Sequence, residues 1–363
     1  MKILDNIKDT IKSKINPTAS INICMMGGKG TGKSSVLTSL YKNMDRAIGD
    51  DAKLYLRPIG DTTTRLNDKY DELSKMFEYA YMTDGIPPAG LAGDYAVNQY
   101  DFEFGMKGSK TKMNLCVKDF PGEYVEDYPE VVKSFVDESS CVIIAIDTPH
   151  LMEHDGAYNE AKNCCRTITG FIQEYLAQKG DEAHKLFLLV PLKCERYYYT
   201  DCMADVLARV EACYSELIEL LKHDYKKSMA LAVTPILTVG DVVFDTFGKD
   251  KDGNVLTEIK EGANQAIPAQ AYYKYRISNA QYTPQYCEQP LLYMLSFIAK
   301  EYEAAKNAPQ KGLLQRFKQR FAVWFKLIGD NPEFLIEVSR LKRKRVCDVA
   351  SKGYQVFTGK NLI

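Results

Sequence analysis

Apolar residues recur along this chain in two rhythms, one helical and one of strands. Ile3, Leu4, Ile7, Ile11 and Ile15 share one helix face and predict a short amphipathic helix within 1–17, ended by Asn16-Pro17. Ile21 to Met26 is a short apolar run leading into glycines, which predicts a buried strand, and Ser34 to Lys42 reads as a helix. Helical spacing returns over Arg65 to Tyr81, followed by a Gly/Pro-rich loop at 85–93. Tyr100 to Met106 alternates in steps of two, 107–110 is turn chemistry, and Met113 to Val117 is the returning strand of a hairpin. Further apolar runs at 141–146, 186–190 and 230–239 predict strands. Helical stretches at 158–178, 201–222 and 290–305 separate or follow them. Residues 240–289 read as irregular and rich in tyrosine.

Strands alternating with helices predict an α/β protein with three layers: a mainly parallel sheet covered on both faces, plus one antiparallel hairpin strand. The expected division is an N-terminal helix at 1–17, a main domain at 18–306 with insertions at 45–97 and 240–289, and a basic helical C-terminal region at 307–363.

Composition changes this picture little. Hydrophobic residues make up 45% and charged residues 26%, enough for a large core, and the net charge is −1. That balance hides a basic stretch: Lys311 to Val346 holds ten Lys/Arg against three acids. Within it, 311–328 pairs a face of Leu, Phe and Trp with basic residues and suits an anionic membrane surface or a partner groove, while Arg340 to Arg345 suits phosphates of nucleic acid or lipid; a helix packed on its own domain and a solvated basic segment are the plain alternatives. The ten cysteines are scattered without CxxC spacing and read as reduced thiols. No secretory h-region opens the chain, and the longest apolar run is too short to span a bilayer. The expectation is a cytoplasmic protein, peripheral to the membrane at most. The four histidines form no metal-ligand pattern, and Asp250-Lys251-Asp252-Gly253 reads as a turn.

The sharpest chemistry is Gly27-Gly28-Lys29-Gly30-Thr31-Gly32-Lys33-Ser34, which fits G-x-x-x-x-G-K-[ST] between a predicted strand and a predicted helix. Glycines let backbone N–H groups turn into one concavity, and the following helix adds its positive end. Lys33 suits phosphate oxygens, Ser34 suits Mg²⁺, and Ser35 follows on the first turn. Downstream, the second hairpin strand runs into Asp119-Phe120-Pro121-Gly122-Glu123, a D-x-x-G element.

With these two elements the chain resembles the P-loop GTPases of the translation-factor and Ras-related class. Within that class the match looks most like a divergent bacterial or phage-type branch with large insertions. The resemblance implies Asp119 as a water-mediated Mg²⁺ residue and Gly122 as the γ-phosphate sensor. Glu123 stands where many members keep a water-orienting glutamine, and Lys29 stands where a small residue is common. A threonine of 62–64, with Thr63 favoured, would be the second Mg²⁺ hydroxyl; the plain alternative is a helix cap by Asp61 or Thr62. Arg57 and Arg65 are candidate cis arginine fingers, or ordinary surface arginines. Lys193-Cys194-Glu195 is a degenerate form of the guanine-reading [NT]-K-x-D, with Leu192 in place of Asn/Thr. The resemblance therefore implies a Mg²⁺-dependent GTP-hydrolysing switch acting through a protein effector, with Lys33, Glu123 and Thr63 in catalysis. An ATPase or kinase, with ATP in place of GTP, and a nucleotide-bound scaffold with little turnover are the alternatives.

Overall fold

The computed structural model describes residues 20–48, 53–82, 97–108, 112–120, 124–180, 183–259, 265–307 and 332–363. The expected N-terminal helix, the loop at 85–93, the hairpin turn at 109–110 and the basic face at 311–328 lie outside them.

An eight-stranded sheet organises the molecule. Its strands are β1 (Ser20–Met26), β2 (Leu54–Pro58), β3 (Asn98–Met106), β4 (Lys112–Asp119), β5 (Cys141–Asp147), β6 (Lys185–Leu192), β7 (Met229–Val233) and, at the far end of the chain, β12 (Gln355–Thr358). Their spatial order is β12-β7-β6-β5-β1-β4-β3-β2. The β4-β1-β5-β6-β7 block is parallel, while β3 pairs antiparallel with both β4 and β2, and β12 pairs antiparallel with β7. The sheet is thus mostly parallel, as expected. Its antiparallel part is larger than one hairpin strand, because Leu54–Pro58 in the first insertion adds an outer strand. The C-terminal region is not only helical: it returns to the sheet as β12 and closes the β7 edge, where open backbone groups would otherwise face solvent.

Period-two alternation sends each strand's side chains to both faces. Ile21, Ile23 and Met25, with Ile143 and Leu188, meet the helices Lys33–Ile48, Gln289–Asn307 and Pro332–Lys342 in one core. Cys24, Met26, Ile144 and Phe187 meet the helices Pro129–Glu138, Cys165–Lys179, Met203–Cys213 and Ser215–His223 in the other. Burial on both faces explains why these strands read as continuous apolar runs. The 240–289 insertion is more regular than its sequence suggests: β8 (Val242–Phe247) pairs with β11 (Ala271–Tyr275), and β9 (Thr257–Ile259) with β10 (Ala266–Pro268). Asp250 accepts from the amides of Asp252 and Asn254, as its turn reading requires.

Two predicted helices are broken. Cys164 sits at φ +51° and divides 158–178 into Asn159–Asn163 and Cys165–Lys179; Tyr214 divides 201–222. Among the described residues no helix is long and apolar enough to cross a membrane.

Candidate functional site

Four parallel neighbours end at the same edge of the sheet. Met25 lies opposite Asp119, Met26 opposite Ile144, and Asp147 opposite Leu192. The glycine loop after β1, Asp119 at the end of β4, Asp147 at the end of β5 and Lys193 after β6 therefore converge. From β1 the chain runs out to the β2 edge, comes back through β3 to β4 on one side of β1, and crosses to β5 on the other. Such a reversal opens a crevice at the carboxyl ends of strands.

The loop is forced into its curl. Gly27 adopts φ +137°, Gly30 +72° and Gly32 +105°, conformations that side chains resist. A methyl group on Gly28 would lie 1.8 Å from the Lys162 carbonyl oxygen, so the loop can sit against the helix Asn159–Asn163 only without a side chain there. Lys33 Nζ folds over the curl and donates to the Gly27 and Gly28 carbonyls at 2.8 and 3.3 Å. Ser34 Oγ donates to Asp119 Oδ2 at 2.8 Å, while Lys33 Nζ stays 4.0 Å from Asp119 Oδ1. Burial raises the Asp119 carboxyl above its ordinary value, against the pull of Lys33 and Ser34. Thr31 is fully buried, and among the described residues its Oγ1 has no hydrogen-bond partner. Lys29, half-buried beside it, gives its carbonyl to Lys162 Nζ at 2.7 Å. Ser35 is partly exposed.

Lys193 occupies the left-handed region at φ +55°, a costly conformation for a side-chain-bearing residue. Its Nζ bridges the Gly30 carbonyl and Asp147 Oδ2, each at 2.7 Å. Asp147 is fully buried and also caps its own turn: Oδ1 accepts from the His150 amide at 3.2 Å and meets His150 Nδ1 at 2.6 Å. Burial alone would raise the Asp147 carboxyl, but His150 and Lys193 hold it well below the usual carboxylate range. Burial in turn lowers the His150 imidazole, against Asp147, and favours its neutral form. Asn163 clamps the Asp147 backbone, accepting from its N–H at 2.7 Å and donating to its carbonyl at 3.1 Å.

Glu195 is brought near this edge but turned inward. It is 2% exposed, and Oε1 accepts from the Val239 amide at 3.0 Å and Thr238 Oγ1 at 3.4 Å. Burial pushes its carboxyl up to about 6. Lys193 and Glu195 thus part ways: the first braces the glycine loop, the second braces the 238–240 loop.

On the β4 side, Thr62 and Thr63 are engaged with backbone. Thr62 Oγ1 accepts from the Asp101 amide at 2.9 Å, and Thr63 Oγ1 donates to the Pro58 carbonyl at 3.3 Å. The helix Thr62–Met82 starts here, so the stretch expected to carry a switch loop is regular structure. Its charged residues Arg65 and Lys69 act on the Asp119 carboxylate. Arg65 is tied to Gln99 O at 2.9 Å and to Asn98 Oδ1, whereas Arg57 is exposed on β2. Gly122 and Glu123 lie outside the described residues. Sequence reading missed Asp147, Lys162 and Asn163. Asp147 had a signal, an acid ending an apolar run just as Asp119 does. The other two had none, because a left-handed Cys164 cuts their short helix from an apparently continuous one.

Compared with known proteins, the chain matches no protein-family model and no curated sequence.

Proposed function

We propose that this chain is a P-loop nucleoside-triphosphate-binding switch that hydrolyses GTP with Mg²⁺. The observation that carries the reading is the Ser34–Asp119 contact at 2.8 Å, made between a helix that leaves a glycine curl and the end of the neighbouring strand. The residues fit both groups. A hydroxyl and a buried carboxylate side by side are hard oxygen donors of the kind Mg²⁺ takes. A buried ammonium and a positive helix end suit polyphosphate oxygens.

Ser34 and Asp119 would hold Mg²⁺, directly or through water, and Lys33 would donate to phosphate oxygens. When bound, Mg²⁺ supplies neutralisation of the charge that builds up on the polyphosphate. The chain's own part is positioning. The loop amides and Lys33 fix the phosphates, Lys162 and Lys193 hold the loop's carbonyls outward, and the Arg65 and Lys69 charges offset the Asp119 carboxylate. Catalysis of this kind rests on orientation and electrostatics more than on covalent chemistry. Glu123 would orient water, and a protein effector would read the nucleotide state.

The geometry of Glu195 favours a second reading: nucleotide binding with weak guanine preference, so that ATP also binds. Its Oε1, an acceptor a guanine would need, already accepts from the Val239 amide and the Thr238 hydroxyl. Titration of GTP and ATP with and without Mg²⁺, followed by turnover, tests both. A clear GTP preference that Glu195→Gln removes supports guanine reading; equal affinities support the second. No binding of either nucleotide by the folded protein overturns the proposal.

A further inference from the structure

The helix Asn159–Asn163 serves a second cluster besides the phosphate loop. Asn159 Nδ2 donates to two sulfurs, Cys165 Sγ at 3.4 Å and Cys213 Sγ at 3.2 Å. Cys165 begins one helix and Cys213 ends another, and the shared Asn159 donor holds their sulfurs as neighbours. Cys165 is 4% exposed and donates through Sγ to Glu160 Oε2 at 2.8 Å; Cys213 is half-buried. Both line a cleft of about 910 Å³ with Thr169 and Arg209. Among the described residues the buried Thr169 Oγ1 on this cleft has no hydrogen-bond partner, and neither has the Oη of Tyr214, which follows Cys213, is 1% exposed and feels both thiols. The two cysteines differ in reactivity as they do in exposure. The Cys165 thiol beside it and Arg209, against burial, bring Cys213 down to about 7, whereas Cys213, burial and Glu160 push Cys165 up. A thiolate that solvent reaches, a protonated thiol behind it and a carboxylate on that proton form an attacking and resolving pair.

The geometry points to Cys213 and Cys165 as a peroxide-reactive thiol pair whose closure to a disulfide loosens the phosphate loop through the helix Asn159–Asn163. The loop's part in nucleotide binding rests on the reading above; the chemistry does not. Cys213 thiolate attacks one oxygen of hydrogen peroxide; the S–O bond forms, the O–O bond breaks, and the departing hydroxide takes a proton as water. Cys213 is then a sulfenic acid facing the cleft. Cys165 sulfur attacks Cys213 sulfur. The S–S bond forms, the S–O bond breaks, and the oxygen leaves as water with the proton of Cys165, which passes through Glu160. Two thiols lose two electrons, and one peroxide becomes two waters.

The path to the loop is short. Closing the sulfurs to the bonded distance of about 2 Å displaces Asn159, which donates to both. Asn159 Oδ1 accepts from Asn163 Nδ2 at 2.8 Å, and Asn163 clamps the Asp147 backbone. The same helix carries Lys162, whose ammonium holds the Lys29 carbonyl and whose own carbonyl seats Gly28. Both braces of the phosphate loop therefore depend on where this helix sits.

The test uses the full chain, reduced and then treated with hydrogen peroxide. Non-reducing peptide mass spectrometry should find a 165–213 link, absent in Cys213→Ser. Cys165→Ser should leave a Cys213 sulfenic acid that a cyclic dione traps. Hydrogen exchange of the 27–33 amides should quicken by about fivefold or more on oxidation and revert with a thiol reductant. That readout needs no nucleotide, so its failure is distinct from failure of the nucleotide proposal. The thiol pair is overturned if peroxide leaves both thiols free or links Cys213 to Cys164. Unchanged exchange in the linked protein overturns the coupling.

Discussion

Asp119 and Asp147 occupy equivalent places, each at the carboxyl end of a parallel strand flanking β1, yet their charges meet opposite fates. Asp119 has a serine hydroxyl at 2.8 Å and an ammonium no closer than 4.0 Å, and burial raises its carboxyl. Asp147 has Lys193 at 2.7 Å, His150 at 2.6 Å and an amide, and it is held well below the carboxylate range. One carboxylate is under-compensated and suits a visiting cation; the other is saturated and suits permanent structure. Burial alone therefore does not set the fate of a carboxylate. What separates these two is whether burial comes with a matching internal charge.

The comparison can be broken at either end. Removing the saturated charge should do most damage, since Asp147→Asn strands Lys193 beside the loop. We expect a loss of about 3–5 kcal/mol in urea unfolding at neutral pH. A loss below about 1 kcal/mol would mean the network stabilises little. Because the Asp147 carboxyl is depressed, its contribution is in place above the ordinary carboxylate range and disappears as pH falls below it. Next, Lys33→Ala should weaken Mg²⁺-nucleotide binding by about 100-fold, about 3 kcal/mol, in calorimetric titration without unfolding the protein. Unchanged affinity would count against Lys33 as a phosphate ligand in the proposed site.

Glu195 sharpens the contrast as a third buried carboxyl. Its ordinary value near 4.5 rises to about 6 in the folded protein. The raised group favours folding below its unfolded value and loses that advantage as pH climbs through about 6. Between those limits wild type should lose about 2 kcal/mol of stability, and Glu195→Gln should flatten that slope. An identical slope in the variant would remove Glu195 from the titration. The smallest effect is the most telling. Asp119→Asn should leave stability without metal unchanged or improved by about 1 kcal/mol, while nucleotide binding loses its Mg²⁺ dependence. A large destabilisation would make Asp119 structural, like Asp147.

Much of this was legible because local rules govern it. Strands buried on both faces show as apolar runs, and the hairpin Tyr100–Val117 shows by alternation. The run from Gly27 to Ser34 shows because a backbone turned inward at three points needs glycines. The breaks at Cys164 and Tyr214 were not legible, since nothing in 158–178 or 201–222 departs from helical periodicity. Nor were β2 and β12, whose pairing partners lie far along the chain.

The sequence by itself determined the layers of the fold, the glycine curl and the identities of Lys33, Ser34 and Asp119, because periodicity and backbone freedom are properties of neighbours in the chain. Tertiary structure alone decided that Asp147, Lys162 and Lys193 brace that curl, that Glu195 turns away from it, and that Cys165 meets Cys213. Those outcomes depend on distances between residues tens of positions apart, and on which charges the packed sheet edge leaves without a partner.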